Sequence, residues 1–347
     1  MKTIRAKIIT LVLICTIISI AVCGGLSQIG ITSITNSDAK EIMSMECKNN
    51  AQEIDTTLER IAQSVDTLAS LTEQSLTDLD EFKTNSEYVD AYTEQLRPIA
   101  LEFARNTEGA LTYYIRFNPE FTEPTSGIFA SKASKDADFE QLTPTDFSIY
   151  ESSDLEHVGW YYIPVENGEA TWMDPYFNSN INVYMISYVV PIYVDGVSVG
   201  VVGMDIDFEE ITSMVEAIQL YETGNAFVLN SENKILYHNS LEFGTALEEV
   251  NNGELAPLAE KLNDDANMGE ELEYSFNGQK KLGYYQKLEN GMKLVSVVPK
   301  TEVRAVMRYI GKMMIIANAI AVAVATVAAV LLSMGIVSPI KQVTQMV

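Results

Sequence analysis

Carboxylates are the side chains of this chain with the most evident capacity for chemistry. Asp205 and Asp207 stand two apart, which on a strand puts both on one face, and Glu209 and Glu210 follow directly. Two carboxylates on one face could serve as acid and base in an extracytoplasmic hydrolysis. Plain acidic surface accounts for most such pairs. No G-x-S-x-G nucleophile motif occurs, and the two histidines, His157 and His238, lack metal-ligand spacing, so the chain is not expected to be an enzyme. Asp136, Asp138, Asp264 and Asp265 offer oxygen ligands, but no D-x-[DN]-x-[DN]-G loop surrounds them. They read as solvated loops, and no metal or other cofactor is expected. Cys15 and Cys23 lie in an apolar stretch, where cysteine is usually a small hydrophobe. Cys47 stands alone in the rest of the chain, which favours a reduced thiol and leaves a bridge between two subunits as the alternative.

Charge is placed unevenly. The 347 residues carry a formal net charge of −25, and all 48 acidic residues lie between Thr32 and Gly311 with 18 of the 23 basic ones. Two apolar stretches bracket that segment, from about Ile8 to Gly25 and from about Met313 to Val337, each close to the ~20 residues that cross a bilayer as a helix. Lys2, Arg5 and Lys7 hold residues 1–7 in the cytoplasm by the positive-inside rule, so the acidic segment faces outward. Lys300, Arg304, Arg308 and Lys312 run against the rule, but long domains cross largely regardless of charge. A cleaved signal peptide competes for the first stretch, yet no clear small-x-small site follows it, and Val22 stands before Cys23 where a lipoprotein anchor would carry a small residue. A segment this acidic is a poor partner for nucleic acid.

The elements that must position any site follow from periodicity. Residues 37–83 contain no Pro or Gly and read as one long helix, capped by Asn36 or Ser37. Ile54, Leu58, Ile61, Val65 and Leu68 alternate spacings of four and three along it. That stripe packs on its own domain or forms a dimer contact, and one helix could do both with two faces. A second helix is expected over Ser86–Asn106 and a strand over Ala110–Phe117. Residues 118–156, with Pro119, Pro124, Gly127 and Pro144, read as loop. Strands are expected at Trp160–Val165, Ala170–Met173 and Val183–Val194, the last turning at Asp195-Gly196 into Val197–Ile206. Helical spacing resumes over Asp207–Leu220. A smaller unit follows: strands Ala226–Asn230 and Lys234–His238, an acidic helical stretch Leu247–Leu262, strands Glu271–Phe276, Lys281–Leu288 and Lys293–Val298, and a helix from Thr301 into the second apolar stretch.

At this point the chain resembles a known family. Asp195-Gly-Val-Ser-Val-Gly-Val-Val-Gly-Met-Asp205-Ile looks like the hairpin and G-V-x-G-x-D-I strand that end the membrane-distal module of double-Cache (dCache) sensor domains. Trp160-Tyr161-Tyr162 and Trp172-Met-Asp-Pro175-Tyr176 look like that module's W-Y and W-x-x-P-Y stretches, and Gly224-Asn-Ala-Phe-Val-Leu with Ile235-Leu-Tyr-His238 resembles the start of the proximal module. Pro339-Ile340 with Val343 resembles the start of a HAMP relay. The resemblance implies an α+β fold: a long N-terminal helix followed by two PAS-like modules with antiparallel sheets, flanked by two transmembrane helices. The implied layout is a span at 8–30, a sensor at 37–300 with its distal module at about 107–210 and proximal module at about 211–300, a span at 313–337 and a HAMP-like linker at 338–347. It also implies a homodimer through the long helix and a membrane receptor of the methyl-accepting chemotaxis type, with histidine kinase or diguanylate cyclase as alternatives; the cytoplasmic output module is absent from this chain.

By the same resemblance, Trp160, Tyr161, Trp172, Tyr176 and Asp205 fall on the positions that line the distal module's ligand pocket. Aromatic faces attract an ammonium group, and a buried carboxylate hydrogen-bonds to it. The alternative is that the aromatics are core and Asp205 caps a turn. The chain departs from the amino-acid-binding branch at Val158, where that branch carries Arg, and at Asn178, where it carries Asp. No Lys or Arg occurs between Lys135 and Lys234, which leaves Arg116 and Lys132 as the nearby cations. Arg116 points inward or outward with equal expectation from strand alternation. The ligand expected on these grounds is a small amine-like or uncharged solute.

Overall fold

The structure, a computed structural model, describes residues 4–178 and 181–344. Helix α1 runs unbroken from Ile4 to Ser75, 72 residues and about 110 Å at ~1.5 Å per residue. It stops short of the expected Lys83. Asp78 accepts hydrogen bonds from the backbone N–H groups of Asp80 and Glu81, so it caps a new short helix, α2 (Leu79–Thr84), instead of continuing the old one. Asn85 caps α3 (Ser86–Asn106) in the same way.

The distal sheet is antiparallel and seven-stranded, in the order β3-β2-β1-β7-β6-β4, with β5 also on β6. Its strands are β1 (Ala110–Phe117), β2 (Gly127–Lys132), β3 (Phe139–Gln141), β4 (Thr171–Trp172), β5 (Tyr176–Asn178), β6 (Val183–Val194) and β7 (Val197–Asp207). Asp195 and Gly196 both take positive φ, at 52° and 79°, as the tight β6–β7 turn requires. One face of the sheet packs on α1 and α3: Tyr113 and Ile115, Ile128 and Ala130, Val202 and Met204 join one core with Leu58, Val65, Leu68 and Leu96. The stripe from Ile54 to Leu68 is therefore spent inside its own subunit, and each such side chain contributes ~1.5–3 kcal/mol on burial.

The expected strand Trp160–Val165 is instead part of helix α4 (Leu155–Asn167). Asp154 caps it through the N–H of His157, and Gly168, at φ 70°, ends it. Buried Val158 and Tyr161 are three apart, so the period is helical, and the aromatic composition misled the strand reading. The stretch expected as loop contains β2 and β3, held by the pairing of Thr112–Arg116 with Gly127–Ser131.

Short helix α5 (Glu209–Glu216) leads to the proximal sheet, ordered β10-β11-β12-β8-β9. Its strands are β8 (Asn225–Leu229), β9 (Ile235–Tyr237), β10 (Leu272–Phe276), β11 (Gln279–Lys287) and β12 (Lys293–Pro299), with α6 (Ala256–Leu262) covering one face. The other face meets α1, where Met43 and Cys47 pack on Leu282, Tyr284 and Val298. Cys47 is fully buried and donates to the carbonyl of Tyr284 at 3.4 Å.

Helix α7 (Lys300–Thr344) runs back along α1. Among the described residues, Lys300–Ala328 is the one stretch long and apolar enough to cross a membrane, and its most apolar 18-residue window has no buried residue. The expected first span at 8–30 forms part of α1. Many of its side chains, like those of residues 332–344, lie outside the described residues, as do residues 345–347 altogether.

Candidate ligand-binding site

The other face of the distal sheet carries the site. Alternation along β1 puts Thr112, Tyr114 and Arg116 on this face, beside their register partners Asp205, Gly203 and Val201 on β7 and Ser131, Phe129 and Gly127 on β2. Helix α4 crosses over this face, and its Val158 and Tyr161 pack with Tyr114, Phe147, Val189 and Val201. Between sheet and helix lies a cavity of about 760 Å³. Gly203 is needed at its floor: a Cβ there would stand 2.4 Å from the Tyr114 ring.

Asp205 closes one end. It is 6% exposed and accepts a hydrogen bond from Ser187 Oγ at 2.7 Å. The hydroxyls of Tyr176, Thr112 and Tyr114 also surround it, yet burial outweighs them and pushes its carboxyl up to about 6. Burial, and next the charge of Asp205, push the Tyr114 and Tyr176 hydroxyls well above the usual phenol range. The Tyr176 ring is 41% exposed at the cavity mouth while its hydroxyl is sunk beside Asp205. No cation forms a salt bridge with Asp205 among the described residues.

Arg116 stands at the other end, 1% exposed. Its Nε donates to the carbonyl of Ser126 at 3.2 Å, and its Nη2 to those of Pro124 at 3.0 Å and Thr145 at 2.7 Å. Its guanidinium also lies 4.5 Å from the Phe147 ring centroid. Burial lowers its pKa to about 10. No carboxylate pairs with it among the described residues, and Nη1 makes no hydrogen bond there.

Of the seven residues singled out in the sequence, five line this cavity: Arg116, Trp160, Tyr176, Asn178 and Asp205. Two do not. Tyr161 follows Trp160 on a helix, not a strand, so it turns about 100° away into the core under α4. Trp172 pairs in register with Tyr188 and sits on the helix-facing side of the sheet, its ring 4.8 Å from that of Tyr188. There the two rings open onto a shallower cleft of about 520 Å³ with Glu59, Asp66 and Glu289. Val158, at the departure from the amino-acid branch, is core. Lys132, the other nearby cation named with Arg116, also lines the cavity. Thr112, Tyr114, Ser187 and Phe129 were missed; the two-residue alternation along β1 was the available signal for the first two.

Asp205 and Asp207 do not form a working pair. Asp207 accepts the backbone N–H of Glu209 and binds Lys135 Nζ at 2.6 Å, and it opens onto a separate cavity with Tyr237, His238 and Phe243. Among the described residues, no three His, Cys, Asp or Glu side chains converge to hold a metal ion.

A family model described as "Cache domain" matches residues 32–307. The methyl-accepting chemotaxis protein TlpA of Bacillus subtilis (strain 168) is 23% identical over 306 residues, which are 87% of this chain and 40% of that protein. The chain thus spans two fifths of that relative's length. Solved structures share the fold. The extracellular domain of mmHK1S-Z3, described as a histidine kinase, is 21% identical with a TM-score of 0.60 over 78% of this chain and 97% of that one. The sensory domain of the Campylobacter jejuni chemoreceptor Tlp3 is 18% identical with a TM-score of 0.52 over 78% and 99%. The ligand-binding domain of the Pseudomonas aeruginosa PAO1 chemoreceptor PctB, in complex with L-Arg, is 16% identical with a TM-score of 0.51 over 76% and 97%.

Proposed function

The chain belongs to the Cache domain family, and from that premise we propose that it is the ligand-sensing portion of a transmembrane receptor for a small extracellular solute. The observation that carries this reading is Asp205: a buried carboxylate with no cation partner among the described residues, inside an aromatic-lined cavity of about 760 Å³. That volume is within the ~300–1,000 Å³ of small-molecule sites. Asp205 and the Trp160 face suit an ammonium group, so the solute carries an amine. The amino-acid ligands of related chemoreceptors fit the same chemistry. An uncharged solute fits less well, because it would leave the buried charge unpaired.

In this reading residues 8–30 and 313–337 are the two spans, residues 37–300 lie outside the cell, and residues 338–347 begin a HAMP-like relay. The likeness to a chemotaxis protein favours a chemotaxis output, and the likeness to a histidine kinase's extracellular domain supports a kinase output as the second reading. Exposed Ile42 and Met45 offer an α1 face for dimerisation distinct from the buried stripe. Ligand would bias the distal module between two states by its differential affinity for them.

The test is a thermal-shift and calorimetric screen of the chain in nanodiscs against amines, amino acids, organic acids and purines. Amines should raise the melting midpoint, and Asp205→Asn should abolish the shift while the variant stays folded. Affinity for amines should fall about fivefold between about pH 6 and pH 5, because the carboxylate is the competent form and its pKa is about 6. Unchanged amine binding in Asp205→Asn would remove the role given to this residue.

A further inference from the structure

The cavity holds two buried charges of opposite sign, Asp205 and Arg116, neither in a salt bridge among the described residues, although Asp146 acts on Arg116 at longer range, and they stand at opposite ends. The strand register measures their separation. Asp205 lies directly across from Thr112, and Arg116 is four residues further along β1, about 13 Å at ~3.3 Å per residue. The Arg116 side chain does not reach back toward Asp205. It is tied to the carbonyl of Ser126, which precedes its own register partner Gly127, and to those of Pro124 and Thr145 beyond. Asp205 is likewise held at its own end by Ser187, its register partner on β6.

Resting on the reading that the sensed solute binds in this cavity through Asp205, we propose that the solute is a zwitterion with its ammonium and carboxylate several bonds apart, the ammonium at Asp205 and the carboxylate at Nη1 of Arg116. Taking the backbone spacing of about 13 Å for the gap between the charges, and about 2.8 Å for each charged contact, leaves roughly 7 Å between the two groups of the ligand. That is the span of an ω-amino acid or a short peptide, and more than twice that of an α-amino acid. The aromatic middle of the cavity supports the same division: Tyr114 lies between Thr112 and Arg116 on the strand, and Trp160 packs on it at 5.0 Å, so an apolar linker would meet apolar walls. Desolvation makes each buried charge costly, and a ligand bearing both counter-charges relieves both.

Calorimetry of the whole chain in nanodiscs with a homologous series reads this directly. The probes are glycine, β-alanine, γ-aminobutyrate, ε-aminocaproate and triglycine, with butylamine and butyrate as half-ligands. The expected result is tightest binding at γ-aminobutyrate or longer, at least about tenfold tighter than glycine and than either half-ligand, since each charge-assisted contact contributes more than ~1.4 kcal/mol. Equal or tighter binding of glycine would overturn the spacing. Butylamine as tight as γ-aminobutyrate would overturn the Arg116 subsite while leaving the Asp205 site intact. Binding of none of the probes would overturn both. Arg116→Gln should erase the advantage of γ-aminobutyrate over butylamine. Because that variant loses contacts to three carbonyls and could fail to fold, the ligand series on the unaltered chain decides the matter.

Discussion

Replacing Asp205 with Asn should stabilise the ligand-free chain, and do so more at neutral than at acid pH. Burial holds the folded carboxyl at about 6 against a reference of 3.8. A carboxyl whose folded pKa is raised contributes fully below the unfolded value, and that contribution is lost as pH rises through the folded value. Integrated over the two titrations at ~1.36 kcal/mol per unit, the loss is about 3 kcal/mol at about pH 7.5 and about 1 kcal/mol at about pH 4.5. Asn keeps the size, can still accept from Ser187 and does not ionise, so the variant escapes the loss. At ~2.1 cal/mol/K per residue, 1 kcal/mol moves the midpoint of a 347-residue chain by about 1.4 °C, so the variant should melt about 4 °C higher at about pH 7.5 and about 1.5 °C higher at about pH 4.5. Differential scanning calorimetry without ligand at both pH values measures it, and every other titrating group cancels in the difference. A gap of the same size at both pH values, or a variant less stable at neutral pH, would refute the claim that desolvation dominates at this carboxylate.

The two tryptophans should part company. Trp160→Ala is expected to weaken amine binding about two- to thirtyfold, the range of ~0.5–2 kcal/mol for a cation over a ring, and Trp172→Ala should leave it unchanged; titration calorimetry on both checks it. Gly203→Ala should push the Tyr114 ring into the cavity and cost about 1–3 kcal/mol in denaturant unfolding, with weakened binding in the same variant. Cys47 is buried and its thiol is pushed up to about 11 by desolvation, so mass spectrometry after maleimide treatment should find it unmodified in the folded chain and modified once unfolded.

How far the sequence reached can be traced through particular residues. Asp195-Gly196 marked its hairpin correctly because the turn needs two successive positive φ values, which this dipeptide supplies cheaply. The stripe from Ile54 to Leu68 announced a packed helix, but periodicity is blind to which surface covers it. Trp160-Tyr161-Tyr162 went wrong because three aromatics raise strand propensity, while one side-chain cap at Asp154 and one left-handed Gly168 set the helix. That single change of period decides that Trp160 reaches the cavity and Tyr161 does not. Trp172 was misplaced for a different reason: its strand pairs through only two residues, and the face it shows depends on a register with Tyr188 that no local pattern encodes. Arg116 and Asp205 stand 89 positions apart in the chain, and only the β1–β7 pairing brings them to one face.

Helix α1 grips the proximal sheet at Met43 and Cys47 and the distal sheet from Ile54 onward, with no break between. Its tolerance for insertions and deletions is therefore governed by phase. One residue gained between Cys47 and Ile54 would swing the entire distal stripe by ~100° and strip it from its sheet. Seven residues would restore the angle to within ~20° but slide the two grips apart by about 10 Å. Lineages of this architecture should thus vary in the length of the loop after β9 while keeping the count of residues between these two grips constant.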